Sequence, residues 1–190
     1  MQGLDERDHL FRLAGQHAPP RCATGDHIGP GLARVLDRLS DTPAEIVTEL
    51  GDTLRQTPLS VALTGPTAHL TGPERSRGYR WFVDPASRDR HAPEEHAFLS
   101  RLYASGLRTI VGLRGPGSRA AGLVDLLLER SGEFRPLWDA HEVGLEPHEL
   151  KTYQHPTVGR IAVLRSVRAT DLLAAMDATI RQCRTSLCPS

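Results

Sequence analysis

Lysine is almost missing from this chain: Lys151 stands alone among 23 basic residues, so the other 22 are arginines. With 17 glycines, 14 prolines and abundant alanine, that bias is the coding habit of a GC-rich bacterial genome. A surplus of either charge is missing too. The 23 bases meet 23 acids for a formal net charge of +0, which excludes the basic balance of a self-sufficient nucleic-acid binder. Cysteine is scarce, and Cys22, Cys183 and Cys188 form an odd set away from the middle of the chain. No disulfide framework is implied, and a reducing cytoplasm is the expected compartment. No apolar run approaches the roughly 20 residues that cross a bilayer, and MQGLDERDHL lacks the basic-then-apolar order of a secretory signal. The expectation is a soluble, cytoplasmic protein without membrane contact.

Motifs for the commoner chemistries are equally thin. No G-x-S-x-G turn offers a strained nucleophile. GLRGPGS, residues 112–118, has the glycine density of a phosphate loop but lacks the closing Gly-Lys-Ser/Thr and does not follow a strand. His141, His148 and His155 recur every seven residues, but helical ligand pairs need spacings of three or four, and Gly144 and Pro147 interrupt the first interval. No catalytic set, metal site or cofactor is expected.

What is present is helical periodicity with two hairpin patterns. DERDHLFRLA at 5–14 reads as a short amphipathic helix, followed by the linker HAPPRCATGDHIGP. PGLARVLDRLS places Leu32, Val35, Leu36 and Leu39 at helical spacing behind Pro30. AEIVTEL and TLRQT predict two strands around a Gly-Asp turn, since Gly51 tolerates positive φ. A helical turn over 58–63 and a short helix near Tyr79–Val83 come next. EEHAFLSRLYASGLRTIVGLR then predicts a long helix weakened by Gly106 and Gly112. SRAAGLVDLLLERS predicts another, capped by Ser118. Farther on, ELKTYQHPTVGRIAVLRSV predicts two strands around Pro-Thr-Val-Gly, and TDLLAAMDATIRQC a terminal helix. The fold class is α+β, with helices around one small antiparallel sheet built from both hairpins.

SGEFRPLWDAHEV, residues 131–143, carries the most pointed pattern. On a helix, Phe134, Leu137, Trp138 and His141 fall at i, i+3, i+4 and i+7, on one stripe. Such a stripe is either core or the wall of a ligand cavity, with His141 packed or facing a ligand. Pro136 is tolerated best in a first turn, where its missing amide has no partner to lose, so the helix should begin near Gly132 to Glu133, or kink there.

Taken together, SGEFRPLWDAHEV and the later HPTVGRI resemble the signature of the MmyB-like ligand-binding domain, the C-terminal half of a family of bacterial helix-turn-helix transcription regulators. PGLARVLDRLSDTPAEIV, GDTLRQTPLSVALTG and RWFVDPASRDR extend the resemblance over roughly residues 29 to 165. Gln56 and Thr57 stand where the family usually has Trp-Asn, and the segment after Val167 departs from the family's final strand. The resemblance implies a PAS-like antiparallel sheet flanked by helices, with a cavity for small molecules, fatty acids among them. It also divides the chain into a remnant helix and linker over 1–28, the ligand-binding domain over 29–168 and a divergent helix and tail over 169–190. Residues 5–15 look like the last helix of the family's DNA-binding domain. DNA contact is then expected only through a helix-turn-helix domain absent from this chain, and the sensor is expected to be a homodimer.

The expected cavity wall is Trp81, Phe82, Leu102, Tyr103, Phe134, Trp138 and His141, because apolar walls with few polar groups suit such sites. The expected function is small-molecule sensing for a transcription regulator, with no enzymatic role. Two alternatives from other classes are an interaction module that pairs with full-length regulators and, third, a small histidine-dependent enzyme.

Overall fold

The computed structural model describes residues 26–148 and 150–164. The helices expected over 5–14 and 170–183 lie outside the described residues. Among those described there are six α-helices and two antiparallel hairpins. In chain order they are α1 (Pro30–Asp37), β1 (Glu45–Val47), β2 (Thr53–Gln56), α2 (Pro58–Thr64), α3 (Arg77–Val83), α4 (His96–Arg114), α5 (Arg119–Arg130), α6 (Phe134–Asp139), β3 (Leu150–His155) and β4 (Gly159–Leu164). No helix among the described residues is long and apolar enough to cross a membrane.

Local signals explain most boundaries. Thr57, Ser76 and Ser118 cap α2, α3 and α5, each accepting a hydrogen bond from an otherwise unpaired amide of the first turn. α4 runs 19 residues through both glycines, and the positive φ of Gly115 (85°) ends it. Each interior glycine costs about 1 kcal/mol relative to alanine. Burial of Leu99, Ala104 and Leu107 on the inner face of α4 offsets that cost. Pro136 does sit in the first turn of α6, and the Ser131 hydroxyl accepts the Phe134 amide at 3.2 Å.

The core lies among α3, α4, α5 and α6. Tyr79 and Phe82 of α3, Leu107 of α4, Leu123 and Leu127 of α5 and Phe134 of α6 are all buried in one cluster. Phe82 and Phe134 meet edge to face at 5.0 Å. Each such side chain contributes about 1.5–3 kcal/mol on leaving water.

Two expectations about strands need correction. The first hairpin turns through five residues, Thr48 to Asp52, and not two. The Thr48 amide bonds the Asp52 carbonyl at 2.9 Å and the Gly51 amide returns to Thr48 at 3.0 Å. Nor do the hairpins share one sheet: β1–β2 and β3–β4 are separate two-stranded sheets. The second edge of β3 is taken by the segment before α4. Ala92 N–H reaches Thr152 O at 3.3 Å and Gln154 N–H reaches Arg90 O at 2.8 Å, so no ladder position is left for the first hairpin.

Candidate functional site

α3 has two useful faces. Tyr79 and Phe82 enter the core, while Arg77, Arg80, Trp81 and Asp84 recur at i, i+3, i+4 and i+7 and line a cavity of about 500 Å³. The 64–67 loop and Leu70 form another wall, Arg90 and His91 a third, and Tyr103 of α4 and Tyr153 of β3 complete it. The volume falls within the range of roughly 300–1,000 Å³ usual for ligand pockets.

Gln56 secures the loop wall. Its amide donates to Thr64 Oγ1 at 3.2 Å and Gly65 O at 3.1 Å, and its carbonyl accepts the Thr67 amide at 2.9 Å. The two residues that depart from the family's Trp-Asn pair therefore have local work: Gln56 ties the loop down and Thr57 caps α2. Gly65 has φ +80°, and a Cβ there would lie 3.2 Å from Arg90 Nη2, so the guanidinium packs directly on the loop backbone.

The wall is rich in cations. Arg77 pairs with Glu45. Burial opposes its charge, but the Glu45 carboxylate, Tyr103 and Tyr153 together outweigh that and hold the guanidinium above its ordinary pKa. Arg80 is pushed down, by burial first and then by the Arg77 charge. Burial, helped by the positive charges of Lys151, Arg77 and His96, lowers His91 to about 4, so its ring is neutral at pH 7. Its Nδ1 is buried without a hydrogen-bond partner among the described residues. Burial also raises Tyr103 and pushes Tyr153 up to about 12, keeping both phenols protonated.

Behind the cavity, Trp81 is held from both sides. Its indole N–H donates to Ser100 Oγ at 2.8 Å, and Ser100 donates to Glu133 at 2.6 Å. Arg88 closes the circuit through Glu133 at 2.6 Å and the Trp81 carbonyl at 2.7 Å. The Trp81 ring also meets His91 at 5.4 Å and Tyr103 at 5.5 Å, and His91 meets Tyr153 at 5.1 Å.

A smaller cleft of about 330 Å³ lies between the first hairpin and α5. Its charges satisfy one another: Arg119 with the buried Asp52, Arg114 with Glu49, and Arg75 with Asp26.

Of the seven residues expected to form the wall, Trp81 and Tyr103 line the large cavity. Phe82 and Phe134 are core, at 8% and 0% exposure, and Leu102 packs against that core. Trp138 stacks on Phe134 at 5.7 Å, carries the Arg108 guanidinium 3.9 Å over its ring, and is not among the residues lining the large cavity. His141 is a clear correction. α6 ends at Asp139, so the stripe breaks before its fourth member. His141 takes φ 55°, is exposed, and donates from Nδ1 to the Asp139 carbonyl at 2.7 Å. The sequence reading overlooked Arg77, Arg80, Arg90, His91 and Tyr153. The helical spacing of Arg77, Arg80 and Trp81 was a usable signal; nothing local joins His91 to Tyr153. Among the described residues no group of three His, Cys, Asp or Glu could hold a metal ion.

A mixed helix-and-strand domain with one large, partly polar cavity beside its core has the form of a small-molecule-binding module. The family model of the MmyB-like transcription regulator ligand binding domain matches residues 28–184, and the chain belongs to that family. No curated protein and no solved structure matches it.

Proposed function

We propose that this chain is the small-molecule-sensing part of a transcription regulator, and that the cavity between α3, the 64–67 loop and Tyr153 is where the signal binds. Family membership and the cavity of about 500 Å³ support this reading together. The domain acts by binding and not by catalysis. Fatty acids, the class implied by the family resemblance, are the first compounds to test. DNA contact belongs to a helix-turn-helix domain outside these residues, and the sensor works as a homodimer.

Binding alone regulates nothing. A ligand shifts a conformational equilibrium only by the difference between its affinities for the two states. The β3–β4 hairpin suits that role, because Tyr153 touches the cavity while its own strand rests on residues 90–92 through a few backbone hydrogen bonds.

Native mass spectrometry of the purified protein, joined to a thermal-shift screen of fatty acids and other metabolites, tests the reading. A ligand at 100 times its dissociation constant adds about 2.7 kcal/mol of stability. A co-purifying adduct, or a shift that Trp81→Ala or Tyr153→Ala reduces, supports it. No adduct and no shift across the panel overturns it.

A further inference from the structure

The nature of the ligand follows from which polar groups on the cavity wall already have partners, taking the cavity as the ligand site proposed above. Arg77 is engaged by Glu45. Arg80 and Arg90 form no close ion pair with a carboxylate among the described residues, although Glu74 and Asp84 share their wall and Arg80 feels the more distant charges of Glu45 and Asp84. Arg80 uses Nη1 alone, on the carbonyls of Arg75 at 3.0 Å and of Glu74. Arg90 likewise uses Nη1, on Leu63 O at 3.3 Å. Each guanidinium has five N–H donors in a planar fork, and among the described residues Nε and Nη2 make no hydrogen bond on either. Asp84 accepts the Ala86 amide at Oδ1, at 3.1 Å.

Three more groups on the same wall lack partners among the described residues. His91 Nδ1 is one, and the hydroxyls of Tyr103 and Tyr153 are the others, since neither phenol makes a hydrogen bond there. An acyl chain laid along this wall would strip water from the two phenol hydroxyls and return nothing, which is costly for each. A guanidinium fork, by contrast, matches two oxygens of a carboxylate or phosphate.

We propose that the cavity takes a compact organic acid bearing further polar groups, its carboxylate or phosphate held by the Nε and Nη2 donors of Arg80 and Arg90, with the Tyr103 and Tyr153 hydroxyls reading the polar groups on its body. Anion binding also eases the burial and the Arg77 charge that oppose the Arg80 guanidinium, which Glu45 and Asp84 offset only in part. The aromatic groups Trp81, Tyr103 and Tyr153 make a flat body the better fit.

The test uses four probes at millimolar concentration against the full chain: 4-hydroxyphenylacetate, phenyl phosphate, the neutral 4-hydroxyphenethyl alcohol, and decanoate. Thermal shift and titration calorimetry are read for the native protein and for Arg80→Gln and Arg90→Gln, with the unliganded melting temperature of each variant as the folding control. At least one of the first two probes should bind, and which of them is tighter separates a carboxylate from a phosphate site. The alcohol should bind about tenfold or more weakly, as should either glutamine variant toward the acid, the loss expected for one charge-assisted contact. Decanoate should trail the hydroxylated acid. Equal binding of the alcohol or decanoate, binding unchanged in both glutamine variants, or no binding of either compact acid would overturn the proposal. If decanoate binds regardless of Arg80 and Arg90, the sensor reading survives and this inference alone falls. If the protein carries no adduct and nothing in any panel binds, the sensor reading falls with it.

Discussion

The Trp81 indole donates its N–H to Ser100 Oγ at 2.8 Å, and this bond ties the cavity wall to the helical core, because Ser100 lies on the inner face of α4 at 3% exposure. Ser100 in turn donates to Glu133 at the start of α6, so a change at the wall reaches two core helices through a single hydroxyl.

Ser100→Ala leaves the buried indole N–H without an acceptor and removes a donor from Glu133. A loss of about 1–3 kcal/mol is expected, read as a lower urea midpoint. The pH dependence should change as well. Burial by itself would raise the Glu133 pKa, but Ser100 and Arg88 outweigh it and hold the carboxyl below its usual range. A depressed folded pKa gives stability that is present above the unfolded carboxylate value and lost as pH falls through the folded one. That acid-side loss should be smaller in Ser100→Ala.

His91 should dominate stability between mildly acid and neutral pH. Its folded value of about 4 lies below the unfolded value near 6.5, so between the two the unfolded chain binds the extra proton. Stability is then full above about pH 6.5 and declines as pH drops toward 4. Urea titrations across that window should show the decline in the native protein and a flatter profile in His91→Gln. An unchanged slope in the variant would assign the dependence to other groups.

Gly65→Ala tests the loop wall. The backbone there (φ +80°, ψ 163°) belongs to a region open almost only to glycine, and the added methyl meets Arg90 Nη2 at 3.2 Å. Destabilisation of about 1–3 kcal/mol is expected from the strain. Displacement of Arg90 should also weaken acid binding, which calorimetry would read independently of the melting temperature.

The former stripe over residues 134–141 divides cleanly in energy. Phe134→Ala empties a fully buried aromatic position and should cost about 3–5 kcal/mol, enough to threaten folding in a chain of this size. His141→Ala removes an exposed ring past the helix end and should stay within about 0.5 kcal/mol. Comparable losses in the two variants would show that α6 extends to His141 in solution.

Much of this division was legible beforehand. Ser118 as a cap, Pro136 as a first-turn residue, the long α4 and both hairpins follow from local rules, because capping, proline geometry and side-chain periodicity act over a few residues. Trp81 and Tyr103, two of the seven residues expected to bind ligand, lie on the wall of the cavity proposed as the ligand site. His141 failed because periodicity describes where a residue would point if the helix continued, and the chain leaves the helix at Asp139.

The linear order of amino acids thus determined which segments coil, where they start, which hydrophobic faces exist and, through its motifs, the family. Tertiary structure alone decided that β3 rests on residues 90–92 and not on the first hairpin, and that His91, Tyr153 and Arg90 meet Arg80 at one cavity. Those groups lie up to 73 residues apart, between Arg80 and Tyr153, and no local preference sets such a distance. Only packing brings them together, and only burial then gives a histidine a pKa of about 4 and leaves two arginines with open donors.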